Sequence, residues 1–234
     1  MGSKRIRKKQ LKQDKFISKT FEFTDWAREN QRLVTFLAVA VIIVVALSWA
    51  FANYRRQKEQ RAYTSLYRSM QAYRSGNYLL AASDLENLLT EHSGSSVEDQ
   101  TLYYLANAQY KMGNYDQAEE VLNRFRKEFG DDSIVSLDAL LTLAYVQEEK
   151  GDLDKAADTF ILAATKARFP HQERNGRMNA ARLFTDTGKY REAVEQYETL
   201  LAGALPEMIK SAEMEEVKML RAEVSVRLRS GDNQ

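Results

Sequence analysis

Ala106 to Leu122 reads ANAQYKMGNYDQAEEVL, and the glycine-centred phrase inside it decides the fold. Gly113-Asn114-Tyr115 returns as Gly76-Asn77-Tyr78, Gly151-Asp152-Leu153 and Gly188-Lys189-Tyr190, at spacings of 37, 38 and 37 residues. A period of this length marks stacked supersecondary units, each too small to bury its apolar face alone. Three positions after each Tyr or Leu stands a small residue (Ala81, Ala118, Ala156, Ala193), and four further on a large apolar one (Leu85, Leu122, Phe160, Tyr197). These intervals put both residues on one face of a helix. Seven positions before each glycine lies another small residue (Ser69, Ala106, Ala144, Ala181) in a second helical stretch. Two helices approach closely only where side chains are small, so Ala106 is expected to meet Ala118 and Ala144 to meet Ala156. The glycine ends the first helix in a left-handed conformation and the chain restarts into the second.

Outward from the repeats, Leu33 to Ala52 (LVTFLAVAVIIVVALSWAFA) is a run of twenty residues without a charge. At about 1.5 Å per residue it spans roughly 30 Å, the thickness of a hydrocarbon core. Trp49 and Tyr54, followed by Arg55, Arg56 and Lys58, form an interfacial anchor at its trailing end. A single uncleaved transmembrane helix is expected. The rival reading is a signal peptide cleaved after Ala50-Phe51-Ala52, but the apolar run exceeds the length of a signal core. The segment before Leu33 holds ten Lys and Arg against four Asp and Glu, whereas the rest of the chain is net acidic. Lys4, Arg5, Arg7, Lys8, Lys9 and Lys12 make a basic arm suited to anionic lipid headgroups or to setting topology. Nucleic acid is the weaker reading of that arm, because no folded reading module accompanies it. Basic residues within twenty of the span are balanced on its two sides. The distal cluster therefore carries the orientation, N-terminus in the cytoplasm and repeat domain outside it.

The expected organisation is a cytoplasmic arm over 1–32, a transmembrane helix over 33–52, and a linker or helical extension over 53–61. Four repeats then cover 62–206, with a capping helix over 207–229 and a tail over 230–234. The fold class is all-α. Pro206 to Arg229 reads as one helix, and Arg229-Ser230-Gly231-Asp232-Asn233 echoes Arg74-Ser75-Gly76-Asn77, like the first helix of a fifth repeat.

Cysteine is absent, so neither a disulfide nor a thiolate site exists. His92 and His171, both expected in loops, have no partners at metal-ligand spacing, and no cofactor or metal is expected. The glycines follow helices rather than strands, which removes a phosphate loop, and pairs such as Glu119 and Glu120 or Glu148 and Glu149 read as solvated helix faces. An enzyme is not expected, nor is a small-molecule substrate.

With Gly-x-Tyr-x-x-Ala following a small residue three times, and once more with Leu153 in the place of Tyr, the chain resembles the tetratricopeptide repeat family. It departs in lacking the family's early Trp and in approximating its closing Pro only at Pro170 and Pro206. In that family the first helix of each repeat lines a concave groove. The resemblance carries its fifth, ninth and twelfth positions onto Leu66, Met70 and Tyr73; Tyr103, Asn107 and Tyr110; Leu141, Tyr145 and Glu148; and Met178, Arg182 and Thr185. Such a groove is aromatic and Met-rich at first and more polar later, which suits an extended apolar peptide or a partner's helix. The family's carboxylate clamp matches only at Asn107, since Tyr103 stands where it needs Lys, so docking through a C-terminal carboxylate is not expected.

Arm, span and repeats together resemble the YfgM-type family of bacterial inner-membrane proteins. That resemblance implies a periplasmic domain beside the Sec translocon, handling exported polypeptides or passing them to periplasmic chaperones. Two other readings stay open: an envelope scaffold resembling the coordinator of the Tol-Pal machinery, and a cytoplasmic adaptor of inverted topology.

Overall fold

The computed structural model describes residues 26–130, 132–204 and 211–231. The basic arm residues Lys4 to Lys12, Pro206 and the final three residues lie outside them. The chain divides into two units, Met1–Gln57 and Lys58–Gln234.

Helix α1, Gln31–Arg74, contributes to both units. Its most apolar window has a mean hydropathy of 2.7, and none of that window is buried in the protein. Apolar side chains along this stretch face outward, Ile42 and Trp49 being 66% and 70% exposed. This helix is long and apolar enough to cross a membrane.

From Lys58 onward the described residues are helical hairpins. The end of α1 pairs with α2 (Tyr78–Glu91), α3 (Glu98–Lys111) with α4 (Tyr115–Glu128), α5 (Ser136–Glu149) with α6 (Leu153–Thr165), and α7 (Pro170–Asp186) with α8 (Tyr190–Gly203). Helix α9 (Ala212–Gly231) packs on α8. Each hairpin turns in the same way. Gly76, Gly113, Gly151 and Gly188 take φ of 80°, 79°, 81° and 75°, and the N–H of the next residue reaches back five positions, as in Asn114 to the Gln109 carbonyl at 2.9 Å. That six-residue closure satisfies a helix-end carbonyl and needs the left-handed glycine.

The small residues do what their spacing predicts. Ser69, Ala81, Ala106, Ala118, Ala144, Ala156, Ala181 and Ala193 are fully buried. Ala106 and Ala118 share one core with Leu122 and Phe125, and Ala144 and Ala156 share another with Phe160 and Tyr197. A first core under Ala62, Leu66 and Leu85 joins α1 to α2 and α3.

Two expectations need correction. His171 lies in the first turn of α7, directly after Pro170, rather than in a loop. A Pro at the first helical position costs nothing, and Gln172 reaches back to the Phe169 N–H at 3.3 Å, so the helix begins earlier than a loop reading of Pro170 allows. The face of α9 also departs from a fifth repeat. Val224 is buried as Ala106 is, and Val226 is 65% exposed like its counterpart Gln71, but Met219 is 66% exposed where its counterparts Thr101, Ala139 and Gly176 are buried. Helix α9 therefore buries the stripe Met214, Val217 and Val224 and turns Met219 and Val226 outward.

Candidate partner-binding groove

The first helices of the repeats present a connected strip of side chains. Tyr73 at the end of α1 packs edge-on against Tyr78 at 5.3 Å and against Tyr104 of α3 at 5.8 Å, and Tyr104 meets Tyr103 at 5.2 Å. Asn107 donates to the Tyr103 carbonyl at 2.8 Å, and its side-chain oxygen faces Thr142 of α5 at 3.4 Å. Tyr110 packs on Tyr115 at 5.8 Å, and the Tyr115 hydroxyl donates to Glu149 of α5 at 3.3 Å. Glu148 in turn accepts from Arg182 of α7 at 2.9 Å. Each of these cross-repeat links joins residues a little less than one period apart, so the end of one hairpin's first helix or the start of its second meets the next first helix along the strip.

Eleven of the twelve residues carried over from the family pattern keep accessible surface. Met70, Tyr73, Tyr103, Asn107, Tyr110, Leu141, Tyr145, Glu148, Met178 and Thr185 are half-buried, and Arg182 is exposed. Leu66 is the exception at 3% exposed: it sits inside the first core and has almost no surface to offer. Tyr145 is anchored by an edge-to-face contact with Phe160 at 5.0 Å, and the Thr185 hydroxyl donates to the Ala181 carbonyl one turn back in its own helix. Four members of the strip were not named by the pattern: Tyr78, Tyr104, Tyr115 and Glu149. The Tyr two places after each turn glycine was the available signal for Tyr78 and Tyr115.

The strip's electrostatics change along its length. Burial pushes the Tyr103 hydroxyl up to about 12, with the Asp138 carboxylate and the Tyr104 and Tyr73 rings adding to it. Tyr110 is raised by burial, then by Glu149, Tyr115, Glu148 and Tyr145. Toward the C-terminus the Glu148 hydrogen bond holds the Arg182 guanidinium above its ordinary range. The early half is thus aromatic and uncharged near neutral pH, and the later half is ion-paired.

This gives a titration with a definite sign. Below the ordinary tyrosine value of 10.0, folded and unfolded chains both hold the Tyr103 proton. Between that value and about 12 only the folded chain holds it, so stability falls as pH rises through that window. Tyrosinate absorbance of the wild type minus that of Tyr103→Phe is expected to show one group with a midpoint near 12.

A family model described as a tetratricopeptide repeat-like domain matches residues 24–220. The chain belongs to that family. Among solved structures it is similar to a putative kinesin light chain from Podosopora anserina with nearly identical tetratricopeptide-like repeats. The identity is 16% and the TM-score 0.56, over 75% of this chain and 90% of that one. A single-substitution variant of the same protein gives 15% identity and a TM-score of 0.53, over 75% and 98% of the two chains. At this identity the likeness is one of fold. No curated protein matches in sequence. Repeat domains of this family are typically interaction scaffolds, and the hairpin stack of this chain is suited to protein–protein interaction.

Proposed function

We propose that this chain is a membrane-anchored interaction protein whose first-helix strip holds extended or helical segments of other proteins on the extracytoplasmic side of a bacterial inner membrane. The observation that carries the reading is the set of partly exposed tyrosines between Tyr73 and Tyr145, two ring clusters whose helices are tied to the next repeat by the Asn107–Thr142 and Tyr115–Glu149 contacts. Tyrosine supplies large contact area at low entropic cost and is enriched where binding energy concentrates. The uncovered apolar helix supports an anchor, and the net positive arm supports a cytoplasmic N-terminus. The resemblance to the YfgM-type family then supports a place beside the Sec translocon, with exported polypeptides or periplasmic chaperones as partners.

Because the chain has no cysteine, one can be placed at Asn123, an exposed position on α4. Labelling of intact spheroplasts by a membrane-impermeant maleimide is expected. Labelling only after lysis would overturn the location and favour a cytoplasmic adaptor. Photo-crosslinking from Tyr145 addresses the partner: translocon subunits or a varied set of exported chains support the proposal, whereas one stoichiometric envelope protein would replace it with a scaffold.

A further inference from the structure

The strip contains the same two-ring unit twice. Tyr73 and Tyr78 stand 5.3 Å apart around one turn, and Tyr110 and Tyr115 stand 5.8 Å apart around the next. The residue two places before the following turn glycine is Lys111 for the first pair and Glu149 for the second. One fold position therefore carries opposite charges in successive repeats.

Glu149 is exposed, accepts the Tyr115 hydroxyl at 3.3 Å, and makes no ion pair among the described residues. The neighbouring charges are already engaged. Glu148 holds Arg182, which also reaches Asp186. Lys150, next in sequence, is held by Asp116 at 2.7 Å and Glu119 at 2.5 Å, so it does not neutralise Glu149. The Lys111 ammonium lies 5.5 Å from the centroid of the Tyr110 ring, so that ring already has an ammonium resting on it. Aromatic faces carry negative electrostatic potential, and a carboxylate beside them adds a full charge, which together attract a cation. The upward push that Glu149 and Glu148 add to the Tyr110 hydroxyl is a second sign of that field.

We propose that Tyr110, Tyr115 and Glu149 form a subsite for a lysine or arginine side chain of the segment bound along the strip, with Lys111 moving off the Tyr110 ring to admit it. The inference rests on the strip being the partner-binding surface. It adds a polarity to that surface: the Tyr73 and Tyr78 unit has no carboxylate at the position of Glu149 and takes apolar residues, and the next unit takes the base. A partner with an acidic residue at the second unit meets Glu149 unpaired and is rejected by charge.

The test uses the full chain in detergent micelles and fluorescence anisotropy with three short labelled peptides, apolar except for a central lysine, norleucine or glutamate. The lysine peptide is expected to bind about fivefold more tightly than the norleucine peptide, the factor of a cation over a partly exposed ring. Glu149→Gln, at an exposed position, should abolish that preference, and high salt should reduce it. Equal binding of the lysine and norleucine peptides, with both weakened by Tyr103→Ala, would overturn the subsite and leave the strip standing. A preference that survives Glu149→Gln would also overturn it. Failure of all three peptides to bind would overturn the strip itself and the subsite with it.

Discussion

Gly176→Leu is expected to lower the thermal midpoint of the repeat domain by roughly 6 to 12 °C, the consequence of losing about 3 kcal/mol in a domain of this size. Gly176 is buried in α7, and a Cβ there would lie 2.7 Å from the Phe160 carbonyl oxygen and 2.9 Å from the Ala164 Cβ, both on α6. The first of these is backbone, so it yields only if one helix moves away from the other. Alanine at this position gains about 1 kcal/mol of helix propensity and meets the same clash, so Gly176→Ala is expected to destabilise as well, by a smaller amount. Gly203→Ala is the control. Its Cβ would meet nothing within 4 Å, and its effect should be neutral or slightly stabilising.

The seam at Gly176 joins neighbouring repeats, and in a solenoid each repeat depends on its neighbours. Loosening the α6 to α7 contact should therefore separate the unfolding of α7 to α9 from that of the earlier hairpins. Calorimetry is expected to show a broadened or two-step transition for Gly176→Leu and a single sharper one for Gly203→Ala. A single cooperative transition at the wild-type midpoint for Gly176→Leu would mean that α7 slides without cost.

Gly176 also shows where the sequence stops being legible. The twelfth position before each turn glycine holds Thr64, Thr101, Ala139 and Gly176, a drift toward ever smaller residues. Thr101 and Ala139 are buried, whereas Thr64, with no repeat before it, is exposed. That column marks the contact between hairpins, and it is weaker than the column that packs within each hairpin because it begins one repeat late. The within-hairpin column of Ala106, Ala118, Ala144 and Ala156 was legible for the opposite reason: both partners lie in one unit and repeat together.

The strip was legible to a similar depth. Positions on one helix follow from the 3.6-residue period, which places Tyr103, Asn107 and Tyr110 together. How far each helix is rolled into its neighbour depends on packing between hairpins, which no single period encodes. Leu66 falls inside the core for that reason, and Tyr104, one residue from the pattern, joins the aromatic chain. Helix α9 carries the same lesson, because its roll on α8, rather than its sequence period, decides that Met219 and Val226 face solvent.

Replacing Tyr103 and Tyr110 together by alanine is expected to weaken partner capture roughly thirtyfold, the effect of losing about 2 kcal/mol from aromatic anchors at an interface. The folded chain should survive, because both residues are only half-buried and the cores beneath them rest on Leu102, Leu105, Leu122 and Phe125. Crosslinking yield from Tyr145, measured beside helix content and melting, separates the two quantities. Loss of crosslinking with helix content retained assigns the rings to the interface. Loss of both would make the tyrosines core residues, and the strip would then lie one face round the first helices. The corresponding Phe pair sharpens the outcome. Capture retained with Phe means that ring area carries the binding, whereas capture lost means that the hydroxyls do, through bonds to partner carbonyls that an extended segment leaves unpaired and a helix does not.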